Sequence, residues 1–330
     1  MSIPKSISIF AQAGVEMQNT FSNLTVLSMG LGQDSTTILL KIIHDPEFRA
    51  RFAPGKLLVL FSDTGNEHPF TYQYRDEVII PLCKTHNIEY VTIDNTMGYH
   101  SKGWQSLTGQ WQNGTRATIG SVAYPKTCTH QLKLVPQYNF VEQWLMNNYE
   151  IPRSVRKSAF VYFAKYFGKI RWLVGIAKGE ESRVADVTKE KIMWKKQAVV
   201  VEYPLINIGF DRTACQSYIK SLNYQLPMPS NCMFCSFAGN NHLELLWLYK
   251  TYPERFNEWA ALEQAKLRDW SDATKNLGVA GKLHKDGERK GEAVTLLDVL
   301  EQAKAKYPNV TLEELQEYKW SHGHCVASKY

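Results

Sequence analysis

Short apolar runs alternate with stretches of helical periodicity through the first two thirds of the chain. Residues 24–28 are mostly apolar and partly β-branched, and this run stops at Gly30, which predicts a short buried strand. Apolar residues then recur at helical spacing over residues 38–43, until Pro46 ends the helix. The pattern therefore predicts a strand, a glycine turn and a helix in succession.

The same alternation recurs further along the chain. Residues 56–61 predict a second buried strand, which is followed by a helix that begins at Pro69. Residues 88–93 predict a third strand, and residues 171–176 predict a later one. Strand–helix units joined by short turns imply an α/β fold, in which a doubly wound parallel sheet has right-handed crossovers.

Helical spacing dominates the last quarter of the sequence. Residues 241–270 predict two helices interrupted at Pro253, and two shorter helices are expected at about 295–306 and 311–319. These helices form a C-terminal appendage to the sheet. The expected organisation is therefore an N-terminal extension (1–22), an α/β domain (23–237) with an insertion (95–127), and a helical C-terminal region (238–330).

The insertion has a composition of its own. Residues 95–127 are rich in Gly, Ser, Thr and Gln and contain Trp104 and Trp111. A connection of this length is usually either functional or disordered. Two interpretations therefore stay open, a lid near a substrate and a disordered segment.

Composition describes an ordinary globular chain of 330 residues, with 44% hydrophobic and 21% charged residues. It contains no apolar run of 18 residues, and residues 1–20 lack the features of a signal peptide. We therefore expect a cytoplasmic protein with no membrane partner. Six cysteines in an intracellular chain are expected to be buried, metal-binding or catalytic rather than disulfide-bonded.

Positive charge is concentrated in one segment. The chain has a net charge of +6, but residues 151–200 contain twelve Lys or Arg against four Asp or Glu, a local balance of +8. Aromatic residues are interleaved there, as in surfaces that bind nucleic acids or polyphosphates. The alternative is an ordinary amphipathic helix, in which Phe160, Phe163 and Phe167 face the core and the lysines face solvent.

The glycine turn after the first strand has the features of an anion site. Free backbone N–H groups precede a helix N-terminus there, where the helix dipole also favours negative charge. Ser28, Ser35 and Thr36 would add hydroxyl donors. The turn matches neither the GxxxxGKS/T loop nor the GxGxxG fingerprint. It therefore predicts a phosphate site, with a ligand-free turn between strand and helix as the alternative.

The sequence SMGLGQDST resembles the PP-loop of the N-type ATP pyrophosphatases, usually written SGGxDS, although Leu31 stands where glycine is usual. About 30 residues later, DTGNEHPFTYQYRDEV is similar to a DTGxExPxTYxY segment of the phosphoadenosine phosphosulfate reductase family. That family includes sulfonucleotide reductases and the related DNA-phosphorothioation and phage-borne enzymes. The resemblance implies an adenine nucleotide alpha hydrolase-like fold. It also implies a set of nucleotide-binding residues, namely Ser28, Met29, Gly30, Gly32, Asp34, Ser35, Thr36, Asp63, Thr64, Gly65 and Gly175.

Three later segments extend the resemblance. The segment CTHQLKLVP is similar to a C-T-x-x-L-K-x-x-P segment and would direct Lys133 at a phosphate or sulfate, unless this lysine is simply solvent-exposed. The segment GIAKGEESR is similar to G-I-x-x-x-E-S-x-R, in which Arg183 would hold the nucleotide or its anionic group. Together with Asp34, these two residues are the predicted catalytic residues. Residues 203–206 resemble a YPLI-type strand of the family.

Cysteine spacing predicts a metal centre. Cys232 and Cys235 form a CxxC pair, which supplies only two ligands. The resemblance implies Cys128 as a third, although the family's cysteine pair is reduced there to a single cysteine. The fourth ligand stays open between Cys325, Cys215, His130 and an open site. Ligand softness and the resemblance favour a 4Fe-4S cluster, with structural Zn²⁺ as the alternative.

These features predict an enzyme that binds ATP and Mg²⁺, the latter through Asp34 and Asp63, and adenylates an acceptor. A sulfur donor protein could then supply sulfur at the cluster, for transfer to a nucleic acid or a small molecule. Two alternatives stay open. One is a phosphoadenosine phosphosulfate reductase, although the segment ending at Cys325 matches its catalytic segment poorly. The other is a non-catalytic nucleotide- or nucleic-acid-binding protein with structural zinc.

Overall fold

A five-stranded parallel sheet forms the centre of the protein, as seen in a computed structural model that describes residues 21–109, 121–123, 126–151, 155–269 and 277–321. The spatial order of the strands is β3-β2-β1-β4-β5, and every neighbouring pair is parallel. The strands are β1 (Phe21–Met29), β2 (Lys56–Ser62), β3 (Glu89–Ile93), β4 (Lys169–Val174) and β5 (Val199–Glu202). The predicted doubly wound α/β fold is confirmed.

Alternating strand residues supply two separate cores. In β1, Leu27 and Met29 pack into the core on one face of the sheet, whereas Leu24 and Val26 pack into the core on the other. Both faces of the sheet are therefore covered, which explains why the strands are apolar at almost every position.

Helices cover both faces. The first face carries α1 (Gln33–His44), α2 (Pro46–Phe52), α3 (Pro69–Tyr74), α4 (Ile80–Thr85), α8 (Pro204–Asn207) and α9 (Arg212–Ser221). The second face carries α5 (Val135–Asn148), α6 (Ser158–Phe167) and α7 (Met193–Ala198). Single π-helical turns at Arg75–Ile79 and Thr129–Leu134 join α3 to α4 and precede α5. The chain therefore crosses on one face from β1 to β3, and on the other face from β3 to β5.

Four helices form the described part of the C-terminal region, as the pattern predicts. These are α10 (His242–Thr251), α11 (Pro253–Asp269), α12 (Leu296–Lys306) and α13 (Leu312–Ser321). The break at Pro253 and the capping box between Thr311 and Glu314 are both present. A third core joins this region to Trp104, Leu107 and Leu132, so the helical appendage packs against the α/β part of the chain.

The structure corrects one predicted strand. Residues 203–206 do not form a strand, because α8 begins at Pro204, and the edge strand is instead the preceding β5. Proline fits the first turn of a helix, where its missing N–H costs nothing. In the described part of the chain, no helix has both the length and the apolar character needed to cross a membrane.

Candidate functional site

A cleft opens at the carboxyl ends of β1 and β4. These two strands are neighbours, but the chain leaves them in opposite directions across the sheet, which is where open α/β sheets bind ligands. The cleft brings together nine of the predicted site residues, which are Ser28, Met29, Gly30, Gly32, Asp34, Ser35, Lys133, Gly175 and Arg183. The predicted phosphate turn therefore lies at the carboxyl ends of the strands, which is the edge where open α/β sheets bind ligands.

Hydrogen bonds fix the turn between β1 and α1. The Ser35 hydroxyl accepts from the Gly30 N–H at 3.2 Å and donates to the Gly32 carbonyl at 3.3 Å. Gly32 precedes α1 without a side-chain cap, so the first N–H groups of this helix are not satisfied by capping. A ligand with anionic oxygens would satisfy them.

Leu31 adopts a conformation that usually requires glycine. Its φ angle is +59°, in the left-handed region, where a Cβ atom adds strain. Its side chain is nevertheless buried in the core beneath α1. Burial of the leucine therefore offsets the strain of the altered turn.

Close backbone contacts shape both walls of the cleft. A Cβ atom on Gly175, at the end of β4, would lie 2.7 Å from the Ser35 backbone nitrogen. A Cβ atom on Gly32 would lie 3.0 Å from both the backbone nitrogen and the hydroxyl of Ser230. Glycine at these positions lets β4 and the segment before the CxxC pair approach the phosphate turn.

Asp34 and two arginines define the electrostatics of the cleft. The Arg183 and Arg212 side chains both form ion pairs with Glu180, which connects them at one wall. Burial raises the pKa of Asp34 from 3.8 to about 6, and Glu180 acts in the same direction. The positive charges of Arg212 and Arg183 and a hydrogen bond with the Ala177 backbone oppose this rise in pKa. The arginines therefore help to keep a buried carboxylate ionised at neutral pH.

Lys133 contributes a third cation. Lys133 lines the cleft, and its ammonium forms an ion pair of 3.1 Å with Glu67, whose side chain is fully buried. The cleft therefore combines three positively charged side chains with an uncapped helix N-terminus, a combination suited to phosphate groups.

Four predicted nucleotide-binding residues do not line this cleft. Asp63 accepts hydrogen bonds from the Gly65 N–H at 2.8 Å and the Tyr72 hydroxyl at 2.7 Å, so its carboxylate stabilises its own loop. The Thr64 hydroxyl donates to Glu67. The fourth, Thr36, is fully buried within α1.

Part of the predicted insertion covers the loop that contains Asp63. The Leu107 N–H donates to the Thr64 carbonyl, and Ser106 lies against Gly65. Residues 110–120 and 124–125 of the insertion lie outside the described residues.

The sequence did not indicate several residues that line the cleft, namely Gln33, Ser62, Gln137, Val174, Arg212, Pro229 and Ser230. Arg212 follows the Asp211 cap of an ordinary helix, so nothing local distinguishes it. Gln137 is more informative, because it is buried and its side-chain oxygen has no hydrogen-bond partner among the described residues. A buried unsatisfied oxygen beside a cleft is consistent with an additional polar ligand group there.

The enclosed part of the cleft is small. Its volume is about 90 Å³, whereas pockets that enclose an entire small-molecule ligand usually have ~300 Å³ or more. The enclosed part therefore has room for phosphate groups, and the rest of a nucleotide would lie towards the open side.

The donors in the cleft fit Mg²⁺ better than they fit a cluster. Mg²⁺ needs only one or two carboxylates, with phosphate oxygens and water completing its shell. Asp34 can supply a carboxylate at the phosphate turn, whereas Asp63, the second predicted Mg²⁺ ligand, does not line the cleft. Asp34 therefore remains the one predicted Mg²⁺ ligand that the cleft contains.

The predicted metal cysteines do not form a site within the described residues. No three His, Cys, Asp or Glu side chains there are grouped to hold a metal, although Cys128 and Cys232 pack against the same core. Cys235 is buried. Cys325 lies outside the described residues. The described residues therefore do not supply the ligand set of a cluster or of a zinc ion.

The other two proposed ligands lie elsewhere. Cys215 is buried in the core beneath α1, and this burial raises its pKa to about 12. His130 is exposed, and its electrostatic neighbours are Lys195 and Glu190. Neither residue extends the CxxC pair.

The CxxC segment nevertheless lies beside the cleft. Ser230 faces the phosphate turn, and the Gln33 side chain donates to the Pro227 carbonyl at 3.1 Å. Cys232 pairs with Glu67 in an isolated β-bridge, and its thiol lies 3.7 Å from the Glu67 carboxylate. Burial raises the pKa of this thiol well above its usual value.

No protein-family model and no curated protein matches this chain. The family resemblance therefore rests on the sequence segments described above and stays a prediction.

Proposed function

We propose that this protein is a PP-loop-type enzyme that cleaves ATP between its α- and β-phosphates and transfers AMP to an acceptor. The observation that carries the proposal is the shared cleft, in which the Gly30–Gly32 turn, Asp34 and three cationic side chains meet at the carboxyl ends of β1 and β4. A triphosphate is the ligand class that matches this combination of an uncapped helix N-terminus and clustered cations.

The proposed reaction has one displacement step. An acceptor oxygen attacks the α-phosphorus and forms a new P–O bond, while the bond to the bridging oxygen breaks and pyrophosphate leaves with that electron pair. Arg183, Arg212 and Lys133 stabilise the negative charge that accumulates on the leaving pyrophosphate. Mg²⁺ held by Asp34 would supply further charge neutralisation.

The position of the CxxC segment supports sulfur transfer as the use of the adenylated acceptor. Ser230 borders the phosphate turn and Cys232 lies against Glu67, the partner of Lys133. A sulfur nucleophile delivered by a donor protein would displace AMP from the acceptor in a second step.

A groove in the basic segment supports a nucleic acid as the acceptor or partner. Phe160 and Phe163 are buried, as the core-stripe interpretation predicts, but the opposite side of α6 faces a groove shared with α7. Tyr162, Lys165 and Trp194 line this groove. Aromatic rings beside cationic side chains are suited to bases and phosphates respectively.

Pyrophosphate release from ATP tests the proposal. The wild-type protein, incubated with ATP, Mg²⁺ and candidate acceptors, is expected to release pyrophosphate rather than phosphate. Asp34→Ala and Arg183→Ala are each expected to reduce the rate by about 10²-fold or more, because each removes charge stabilisation at the displacement.

An Asp76→Ala variant is the matched control, because Asp76 is exposed and its ion pair within the described part of the chain is with the neighbouring Arg75. Its rate should equal that of the wild type. ATP binding without turnover under any acceptor condition would instead favour the non-catalytic alternative. Release of phosphate in place of pyrophosphate would contradict the proposed bond cleavage.

A further inference from the structure

Glu67 occupies an unusual position beside the cleft. It follows β2 in the DTGNE segment, and its side chain is fully buried. One carboxylate oxygen, Oε1, receives all of the described polar contacts: the Lys133 ammonium at 3.1 Å, the Thr64 hydroxyl at 3.0 Å and the Cys232 thiol at 3.7 Å. The other oxygen, Oε2, has no hydrogen-bond partner among the described residues. Glu67 itself is not among the residues that line the cleft.

The backbone around Glu67 is fixed independently of its side chain. Glu67 and Cys232 pair in a β-bridge, and the Met233 N–H donates to the Asn66 carbonyl at 2.7 Å. The carboxylate is therefore held between the loop after β2 and the CxxC segment. Lys133 approaches from a third element, the π-helical turn before α5.

We propose that Glu67 is a positioning residue, which holds the Lys133 ammonium at the cleft wall where phosphate groups bind. This inference rests on the proposed function. A lysine ammonium is carried on a flexible four-carbon chain, so its position depends on a fixed partner. A buried carboxylate also requires a nearby cation, since an unpaired buried charge is strongly unfavourable. Each group therefore fixes the other, and only Lys133 faces the ligand.

Removal of the Glu67 charge should weaken phosphate binding through Lys133. Without the Glu67 charge, the Lys133 ammonium loses this ion pair and should sample more rotamers. Phosphate affinity should fall, although no group that touches the ligand has been removed. The loss should also disappear once Lys133 itself is absent.

A double-mutant cycle tests the proposal. The affinities of inorganic pyrophosphate and of ATP are measured by titration calorimetry for wild type, Glu67→Gln, Lys133→Ala and the double variant. Glu67→Gln is expected to weaken pyrophosphate binding by about tenfold, and Lys133→Ala by at least as much. The double variant should bind no more weakly than Lys133→Ala alone, because the two residues act as one unit.

Three further variants make the result interpretable. Glu77→Gln, at an exposed glutamate in the helical segment that follows, should bind like the wild type. Glu67→Asp keeps the charge and should restore part of the lost affinity. Lys133→Arg keeps a cation at the wall and should remain sensitive to Glu67→Gln. Thermal unfolding of each variant identifies any that does not fold, and Glu67→Met then replaces Glu67→Gln in the cycle.

Two results would overturn the inference. In one, Glu67→Gln binds pyrophosphate as tightly as the wild type. In the other, the losses multiply in the double variant, as they would for independent structural effects. Failure of the proposed function gives a different result: the wild type binds pyrophosphate and shows the coupling, but releases none from ATP. A wild type that binds neither compound contradicts both proposals.

Discussion

At the scale of a single residue, the position of Asp34 in the cleft affects the folding free energy of the protein. Its side chain is partly buried at the predicted phosphate turn, and this burial raises its pKa to about 6. Asp34 therefore destabilises the ligand-free protein whenever it is ionised. The sequence indicated this residue through its motif, but the pKa depends on Arg183, Arg212 and Glu180, which are distant in the chain.

The pH dependence of stability tests this account. In the unfolded chain Asp34 ionises near 3.8, so the ionised form costs folding free energy at pH values above about 6, and none below 3.8. The change in pKa corresponds to about 1–3 kcal/mol. Asp34→Asn should therefore be more stable than wild type by that amount at pH 8, and the difference should vanish towards pH 3.5.

Urea unfolding without ATP or Mg²⁺ at several pH values measures this difference. The exposed Asp76→Asn variant serves as the control and should show no comparable change above pH 4. A constant difference between Asp34→Asn and wild type from pH 3.5 to 8 would contradict the interpretation.

Leu31 provides a second test at this scale. Leu31→Gly should relieve about 1–2 kcal/mol of strain at the left-handed position, but it removes a buried side chain worth about 2–5 kcal/mol. The larger effect should dominate, so the midpoint of thermal unfolding should fall. A rise in this midpoint would mean that the leucine contributes little to the core.

At the scale of elements, the cleft depends on how closely β4 approaches α1. Gly175, directly after β4, permits this close contact, since a Cβ atom there would lie 2.7 Å from the Ser35 backbone nitrogen. Sequence periodicity predicted both elements, but it could not show that they are neighbours. That contact follows from the strand order, which places β4 beside β1 although about 140 residues separate them.

Gly175→Ala should displace the N-terminus of α1. Overpacking of this kind destabilises the folded protein by about 1–3 kcal/mol. ATP affinity should also fall, because the displaced helix N-terminus no longer faces the phosphate groups. Gly30→Ala is the milder comparison, because its Cβ atom would meet only the Ser230 hydroxyl at 3.2 Å. Calorimetric titration with ATP compares the two variants, and equal affinities would contradict the role given to the β4–α1 contact.

A buried ion pair anchors the last described helix. Lys319 on α13 is fully buried, pairs with Glu244 and donates to the Asn231 side chain at 3.0 Å. Burial lowers the pKa of Lys319, and Glu244 opposes this change. Asn231 precedes Cys232, so this pair also holds the CxxC segment.

Lys319→Met should destabilise the protein by about 3–5 kcal/mol, because it leaves the Glu244 carboxylate buried without its cation. Adding Glu244→Met should recover part of this loss, since no unpaired charge then remains. Urea unfolding measures both effects. Lys84→Met, at an exposed lysine on α4, is the control and should lie within about 0.5 kcal/mol of wild type.

At the scale of the whole molecule, local pattern predicted most of the helices and four strands, together with the glycine turn between β1 and α1. It missed β5 and assigned a strand where Pro204 begins a helix. It also missed Arg212 and Gln137, because their roles arise only when distant segments meet at one sheet edge. Asp63, in the loop after β2, accepts a hydrogen bond from Tyr72 and does not line the cleft.

Titration of the purified protein with ATP in the presence of Mg²⁺ tests the central claim most directly. We predict one saturable site per chain, with affinity reduced about tenfold or more in Arg212→Ala, because this variant removes one of the cations that line the cleft. The sequence did not indicate Arg212, so this variant tests the cleft itself. The absence of ATP binding, or equal affinity in the wild type and Arg212→Ala, would contradict the assignment of this cleft as a nucleotide site.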